Sequence, residues 1–418
     1  MAKKDSATDQ YVYRFNYRGQ HLSTILELCA IGKDLYNQAQ YWVRNNFINH
    51  GDFMDYMNVE EYMKNKTNLD GEINYQKLKA QVSQQLLKVL ERDWKGYFKG
   101  LEGFKKNPEL YTGRPRMPRY KRFDFATLTY TNQCSKLENG KLTLAKGLEI
   151  AIPQPELIKG KFCQCRIVPQ QGYCTIEIVY SCPTPFVLLD TRNHLSIDMG
   201  INNLMSCIDN INSAFLINGR HIKSYNKDFN KRLAKSKSQL PMVTASDGWV
   251  EQQKTSKLIN SLYESRNTYM DNKLHVISRY IIDYCIAYDI GVIVIGQNKG
   301  WKDESSMSKK TNQTFCQIPH SKLIDKITYK AKQCGIVVIT NEESYTSKCD
   351  ALALEDICKH DVYLGKRIRR GLFKSSTGNL INADINGAIN ILRKVVGDEV
   401  VRPIIDMGLW CKPCKITL

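Results

Sequence analysis

The sequence predicts an α+β protein of several domains, and two patterns along the chain indicate this class. In the first half, one strand pattern precedes helical patterns and a series of short strand patterns. In the second half, three consecutive strand patterns precede alternating helix and strand patterns. The chain has 418 residues, 42% of them hydrophobic, which is enough for roughly two or three globular domains.

The first strand is predicted over YVYRFNYR, where aromatic residues alternate with others. Tyr11, Tyr13, Phe15 and Tyr17 would share one face, because successive side chains of a strand point to opposite faces. A core-facing aromatic stripe is the favoured interpretation. A platform for stacking nucleic-acid bases is the alternative.

Two helices and five short strands complete the predicted first half. The helices are predicted over residues 22–50 and about 75–100, and the second has an apolar stripe from Val82 to Phe98. The strands are predicted between about 125 and 190, in ATLTY, KLTLA, LEIAI, FCQCRIV and CTIEIVYS. Short strands separated by turns indicate a small barrel or sandwich, so we expect a β domain with a helical insertion.

The second half begins with a predicted meander of three strands, LSIDMG, NLMSCID and AFLINGR. A basic helix and a long helix ending near Tyr288 follow, and then the buried strand GVIVIG (291–296). A polar loop, a helix at 315–333, the strand GIVVIT and an amphipathic helix near Asp384 complete the pattern. An RNase H-like sheet is built from three strands followed by alternating helices and strands, so we expect that architecture here.

Three carboxylates far apart in sequence lie at the edges of these apolar segments. Asp198 ends the strand LSID, Glu343 lies just beyond GIVVIT, and Asp384 opens the last amphipathic helix. Acidic oxygens on rigid elements hold hard divalent cations about 4 Å apart in sites that hydrolyse phosphodiesters. We therefore treat these three residues as candidate catalytic and metal-binding residues.

Each acid also has an ordinary structural explanation. An Asp before Gly200 is often part of a turn, and an Asp at a helix start often serves the cap or the helix dipole. Asn382 and Asn386 could hold Asp384 or a metal-bound water, or could equally cap the helix. Glu342 is a near rival of Glu343, and either could be an exposed loop acid. The three acids together indicate a metal site more specifically than any one of them does alone.

The chain is strongly basic, with 60 Lys and Arg against 42 Asp and Glu and a formal net charge of +18. This excess of positive charge favours binding to polyanions, of which nucleic acid and anionic membranes are the usual candidates. No run approaches the roughly 18 apolar residues of a membrane span, and the start lacks the apolar core of a signal peptide, so we expect an intracellular protein without membrane partners.

Two segments concentrate the positive charge. Each could be a solvated surface run; we favour phosphate contact for the first and give a nucleic-acid clamp at least equal weight for the second. The candidate nucleic-acid-binding residues are Arg114, Arg116, Arg119, Lys121 and Arg122 in GRPRMPRYKR, and Lys366, Arg367, Arg369 and Arg370 in GKRIRRGLFKS.

The fourteen cysteines do not predict a structural zinc site. Most lie singly among apolar residues and are interpreted as small buried hydrophobes in a reducing compartment. Only Cys411 and Cys414 have the spacing of a metal-ligand pair, and no second pair is obvious.

Six motifs follow one another in order between about 190 and 396: SIDMGINNL, VIVIGQNKGWK, IPHSKLIDKITYKAKQCGI, EESYTSKCD, KRIRRGLF and NADINGAINILRK. Together they resemble the TnpB family, the RNA-guided nucleases of insertion sequences that are related to eukaryotic Fanzors and type V CRISPR effectors. In the N-terminal half the resemblance is weaker and rests on LYNQAQYWVRNNF and GRPRMPRYKR.

The resemblance implies a RuvC-like nuclease domain, a wedge β-barrel and an inserted helical recognition domain. It also implies Mg²⁺ as cofactor, with Mn²⁺ as a substitute, a guide RNA from the transposon end, and cleavage of double-stranded target DNA beside a short flanking motif. The protein would act in the cytoplasm or on the nucleoid, or in the nucleus of a eukaryotic host. The expected domains are the wedge barrel (1–20 and 123–190), the helical domain (21–122), the RuvC-like domain (191–340 and 381–408), a target-nucleic-acid-binding insertion (341–380) and a C-terminal tail (409–418).

By this resemblance Asp198 matches the first RuvC acid and Asp384 the third. Most members carry the second acid, a Glu, directly after the strand that here ends in Gly296. The chain resembles a subgroup with a relocated glutamate, and Glu343 is preferred over Glu342 for that role. GVIVIG and GIVVIT are expected to be neighbouring strands, so a Glu just past the second could reach the same metals.

Two other functions are alternatives to guided cleavage. A nuclease-dead RNA-guided repressor is suggested by Gly296 but opposed by Asp198 and Asp384. A transposase that joins DNA ends would share the RuvC-type chemistry, but the family resemblance points to guided cleavage instead. Family members often carry two CxxC pairs in the insertion, where this chain has only Cys349 and Cys358, so structural zinc is not expected.

Overall fold

The computed structural model describes residues 8–170, 172–183, 188–244, 249–253, 255–297, 313 and 316–418. It separates into two compact units, Met1–Thr184 and Pro185–Leu418. Both contain helices and sheets, so the predicted α+β class with more than one unit is confirmed. Most of the predicted polar loop between GVIVIG and the helix at 315–333 lies outside the described residues.

The first unit has two long helices and two short ones. The helix predicted over 22–50 is confirmed and ends where Gly51 adopts a left-handed conformation (φ +76°). The helix predicted from 75 is interrupted, because Leu78 is extended. The first of the two short helices, Tyr56–Asn65, was not predicted; Asp55 caps it by accepting from the Asn58 amide at 3.0 Å. The helices are α1 (Leu22–His50), α2 (Tyr56–Asn65), α3 (Asn74–Lys77) and α4 (Ala80–Lys106).

Seven strands of the first unit form two antiparallel sheets. Tyr13, Phe15 and Tyr17 of the first strand pack against the hydrophobic core, which confirms the core-facing interpretation of the aromatic stripe. The strands are β1 (Thr8–Tyr17), β2 (Leu128–Thr131), β3 (Lys136–Glu138), β4 (Lys141–Ala145), β5 (Leu148–Ala151), β6 (Lys161–Gln170) and β7 (Tyr173–Pro183). The larger sheet has the order β1-β7-β6-β2, and the smaller has the order β3-β4-β5.

The basic segment 113–122 is attached to the helical core of this unit. Trp94 is completely buried, and its indole N–H donates to Gln40 Oε1 at 2.8 Å. The amide of Gln40 in turn donates to the Pro118 carbonyl at 2.6 Å. Asn37 and the backbone of Lys121 exchange two hydrogen bonds, at 3.1 and 2.8 Å. The segment therefore follows α1 although its own backbone is irregular.

The second unit is built on a six-stranded sheet of order β14-β13-β8-β9-β10-β18. The predicted meander is confirmed in β8, β9 and β10, and GVIVIG and GIVVIT are parallel neighbours, as expected. The last strand, which adds the C-terminal tail beside β10, was not predicted. The strands of this unit are β8 (His194–Met199), β9 (Asn203–Asp209), β10 (Ala214–Asn218), β11 (Met242–Thr244), β12 (Val250–Gln252), β13 (Val292–Gly296), β14 (Val337–Asn341), β15 (Lys366–Arg369), β16 (Leu372–Lys374), β17 (Leu380–Asn382) and β18 (Cys414–Ile416).

Helices cover both faces of this sheet, which explains why β13 is apolar at every position. Ile293 and Ile295 belong to the same core cluster as the two helices before β14, whereas Val292 and Val294 pack with the helix that carries Asp384. The helices are α5 (Arg220–Ser238), α6 (Lys257–Ala287), α7 (His320–Gln333), α8 (Ala383–Val396) and α9 (Asp398–Asp406). Within the described ranges, no helix is long and apolar enough to cross a membrane.

All fourteen cysteines are free thiols. Cys29, Cys207 and Cys285 are completely buried, as expected for small hydrophobes, whereas Cys334 is only partly buried. Cys411 and Cys414 are exposed.

Replacing Trp94 with alanine should lower the free energy of unfolding of the first unit by about 3–5 kcal/mol, because the change removes a fully buried ring and the Gln40 hydrogen bond. Urea unfolding measures the effect. The control is Tyr41→Ala on α1, whose side chain is 62% exposed. Equal losses in the two variants would contradict this account of the core.

Candidate active site

Asp198 lies near the end of β8, between β13 and β9 in the middle of the six-stranded sheet. Burial raises the pKa of its carboxyl well above the usual range, and the negative charges of Glu343 and Asp384 raise it further. The Arg367 guanidinium partly opposes the increase in pKa. The fold therefore brings all three predicted acids into electrostatic contact at one end of the sheet.

Glu343 follows β14 by two residues and lies across the end of β13. Gly296, the last residue of β13, pairs with Asn341 of β14. A Cβ atom added to Gly296 would lie 2.5 Å from Glu343 Oε1 and 2.7 Å from Glu343 Cγ. The Glu343 side chain thus fills the space that a side chain at position 296 would need, and burial raises its pKa to about 7.

Glu342 has a different environment. Its side chain is exposed and accepts a hydrogen bond from the Ser344 hydroxyl. The Lys394 ammonium donates to the Glu342 and Ser344 carbonyls at 3.1 and 2.8 Å, which fixes the backbone on both sides of Glu343. Of the two neighbouring glutamates, the fold directs Glu343 toward Asp198.

Asp384 lies in the first turn of α8. Asn382 caps this helix, since its Oδ1 accepts from the Asp384 and Ile385 amides at 2.9 and 3.2 Å. Asn386 is buried and bonds the backbone of the insertion, at Ala351 N and Cys349 O. The capping interpretation therefore applies to Asn382, and Asn386 holds the insertion against the helix.

The Asp384 carboxylate accepts hydrogen bonds from two other side chains. The sequence did not indicate either contact. Asn203 Nδ2, at the start of β9, donates to Asp384 Oδ2 at 2.9 Å. Arg367 Nη2 donates to Asp384 Oδ1 at 3.2 Å. Asn203 lies only five residues after Asp198, in the same hairpin. A side-chain amide so close in sequence to a candidate metal ligand is a signal that could have identified Asn203.

Gly387 lets α8 approach Asp198. A Cβ atom at this position would lie 2.8 Å from Asp198 Oδ2. The Ser196 hydroxyl donates to the Ala388 carbonyl at 2.7 Å and holds the helix against β8. Gly387 is three residues after Asp384 on the same helix face, a spacing that could have indicated its role.

The donor set suits a hard divalent cation. Carboxylate oxygens are the ligands that Mg²⁺ and Mn²⁺ prefer, and a cation would relieve the repulsion that raises the Asp198 pKa. In this structure the Arg367 guanidinium supplies a positive charge at Asp384. Across the described ranges, no group of three or more His, Cys, Asp or Glu side chains is arranged to enclose a metal ion.

The two basic segments lie in different units. Arg114, Arg116, Arg119 and Arg122 are exposed, and the Lys121 ammonium lies 4.1 Å from the centre of the Tyr36 ring. An open groove of about 350 Å³ runs beside this segment. Its lining residues are Tyr36, Asp93, Tyr97, Arg116, Pro118, Arg119 and Lys121.

The second basic segment forms the β15–β16 hairpin, which was not predicted. Lys366, Arg367, Arg369 and Arg370 are all exposed on it. Of these four, Arg367 is the residue that contacts a candidate catalytic acid.

Comparisons with known proteins match mainly the second unit. Residues 177–302 match the family model OrfB_IS605, described as "Probable transposase", and residues 320–391 match the "Cas12f1-like, TNB domain" model. The "TnpB-like protein ORF457" of Acidianus two-tailed virus is 29% identical over 218 residues, 50% of this chain and 44% of the relative. The "CRISPR-associated endodeoxyribonuclease Cas12f1" of Sulfoacidibacillus thermotolerans is 25% identical over 232 residues, 54% of this chain and 52% of the relative.

The chain thus spans about half the length of these curated relatives. A solved structure, "Cryo-EM structure of the Cas12f1-sgRNA-target DNA complex", aligns with 89% of this chain and 83% of that chain. The TM-score is 0.55 at 16% identity, so this likeness concerns the fold.

The fold and the site define a protein of mixed α+β units with an acidic centre at the end of a central sheet. Residues 177–302 and 320–391 match the two family models, and the curated relatives include a TnpB-like protein and Cas12f1. The chain is therefore similar to TnpB proteins and to the related type V effectors.

Replacing Gly387 with alanine should move the Asp198 carboxylate and leave the fold intact. The atom in the way of the new methyl group is the end of a side chain, so the free energy of unfolding should change by less than about 1 kcal/mol. Affinity for Mn²⁺, measured by calorimetry, should fall by about tenfold. Gly96→Ala in α4 is the control, because open space surrounds its Cβ position. Unchanged Mn²⁺ affinity in Gly387→Ala would contradict this assignment.

Proposed function

We propose that the chain is an RNA-guided DNA endonuclease that cuts double-stranded DNA beside a short flanking motif by RuvC-type two-metal hydrolysis. The observation that carries this proposal is the convergence of Asp198, Glu343 and Asp384, from three distant segments, at one end of the sheet. The names of the relatives add support, because they include an endodeoxyribonuclease and a complex with an sgRNA and target DNA.

The topology supports an RNase H-like assignment for the sheet of the second unit. Its antiparallel meander continues into two parallel strands on the far side of β8, and helices cover both faces. We assign 191–340 and 381–408 to a RuvC-like domain, 341–380 to a target-nucleic-acid-binding insertion and 409–418 to a C-terminal tail. In the first unit, 1–20 and 123–190 would be a wedge β-barrel around the helical recognition domain at 21–122.

Asp198, Glu343 and Asp384 would hold the divalent ions. When bound, Mg²⁺ or Mn²⁺ supplies Lewis-acid stabilisation of the charged transition state and acidifies water. Asn203 orients the Asp384 carboxylate, and the partial burial of Asp198 and Glu343 limits the contact of their carboxylates with bulk water. Hydrolysis breaks the bond between phosphorus and the 3′ oxygen and leaves a 5′ phosphate and a 3′ hydroxyl.

The positive charge supports a nucleic-acid partner on both units. The exposed arginines of segment 113–122 and of the β15–β16 hairpin would contact phosphates of a guide RNA from the transposon end and of the target DNA. Pairing between guide and target would carry most of the sequence specificity.

Gly296 suggests a nuclease-dead repressor as an alternative, but the packing of Glu343 weighs against it. A missing acid would leave space beside Gly296, whereas the Glu343 carboxylate occupies that space. A transposase is a second alternative, which the description of the matching family model favours. Strand transfer in the absence of any guide RNA would support the transposase.

Changing Glu343 to glutamine should abolish DNA cleavage, because an amide removes the charge required of a metal ligand, while RNA-guided DNA binding should remain. Glu342→Gln is the matched control and should cut like the wild type, since Glu342 faces solvent. Asp198→Ala should also stop cleavage and preserve binding. Cleavage that survives in Glu343→Gln would refute the assignment of the second acid.

Sequencing the RNA that copurifies with the protein, expressed beside its native flanking DNA, tests the guide. We expect a discrete RNA whose end has a variable sequence, which then defines the DNA target for the cleavage assay. Finding no specific RNA would contradict guided cleavage and leave an unguided metal nuclease.

A further inference from the structure

The two oxygens of the Asp384 carboxylate have partners of opposite character. Oδ2 accepts from the neutral amide of Asn203 at 2.9 Å, and Oδ1 accepts from the guanidinium of Arg367 at 3.2 Å. A neutral donor can remain when a cation binds the carboxylate. A guanidinium competes with that cation for the same negative charge.

We propose that Asn203 is a positioning residue that holds Asp384 for the divalent ion, and that Arg367 is a counter-ion that this ion displaces. The inference rests on the proposed metal centre of Asp198, Glu343 and Asp384. Asn203 would orient the Asp384 carboxylate before the metal binds. Arg367 would neutralise that carboxylate until the metal replaces it.

The hairpin that follows Asp198 fixes the position of Asn203. Gly200 makes the turn tight: a Cβ there would lie 2.3 Å from the Asn203 carbonyl, and the Gly200 amide donates to the Leu204 carbonyl at 3.1 Å. Asn203 is therefore fastened to the strand that carries Asp198. Through its amide, the same turn sets the Asp384 carboxylate relative to the first acid.

Arg367 is attached far less firmly. It lies on the exposed β15–β16 hairpin, where the strand register shifts between Arg367 and Arg369, and its side chain is 49% exposed. An ion pair with this exposure is weak, because water screens the charges. Arg367 can therefore leave Asp384 at small cost when a divalent ion approaches.

The test is the Mn²⁺ affinity of the full chain, measured by calorimetry without nucleic acid. Arg367→Ala should bind Mn²⁺ about two- to fivefold more tightly, because the competing ion pair is gone. Asn203→Ala should bind it about tenfold more weakly, because Asp384 loses the group that orients it. The two variants should change the Mn²⁺ affinity in opposite directions. A general loss of folding would instead weaken Mn²⁺ binding in both variants.

Two controls match these variants within the same unit. Arg192→Ala also removes an arginine from an Asp pair, the exposed Arg192–Asp190 bridge of 2.7 Å, and corrects for the change in net charge. Asn202→Ala removes the neighbouring amide, whose oxygen accepts from the Lys223 ammonium at 3.3 Å. Both controls should bind Mn²⁺ like the wild type.

Binding in Arg367→Ala that is no tighter than in Arg192→Ala overturns the role of Arg367. Binding in Asn203→Ala equal to that of Asn202→Ala overturns the role of Asn203. If Asp384→Ala binds Mn²⁺ as well as the wild type, the proposed metal centre itself fails, and this inference fails with it. The Asp384 variant thus distinguishes the two kinds of failure.

Discussion

The electrostatic cost of keeping the poorly solvated Asp198 carboxylate beside Glu343 and Asp384 is the constraint on which this site depends. Asp198 is partly buried near the end of β8, and Glu343 and Asp384 add negative charge beside it. Such an arrangement persists only where the fold fixes each acid and supplies compensating charge. The second unit does both: parallel strands and the cap of α8 fix the acids, and Arg367 lies against Asp384.

The packing at the end of β13 explains how the second acid can come from a different strand. β13 and β14 are parallel neighbours, so their C-terminal ends meet at the same edge of the sheet. Glu343 enters the space above Gly296, and a side chain at position 296 would collide with it. The two positions are therefore coupled: a glutamate that arrives from β14 requires a glycine at the end of β13.

Much of the second unit was predictable because its signals are local. The apolar run of β13, the meander after Thr191 and the amphipathic pattern of α8 each lie within a few residues. The contacts that complete the site are not local: Asn203 and Asp384 are 181 positions apart, and no pattern within either segment shows the pairing. The strand β18 and the hairpin β15–β16 were missed for a related reason, since both are short, polar and formed by pairing with a neighbouring strand.

The most direct test of the account is a crystal structure with bound Mn²⁺, in which anomalous scattering locates the ions. We expect Mn²⁺ at the end of β8, with oxygens of Asp198, Glu343 and Asp384 at about 2.1 Å from the ion, as in octahedral divalent sites. Ions bound elsewhere in the protein, or an ion held by Asp198 and Asp384 with Glu343 turned away, would contradict it.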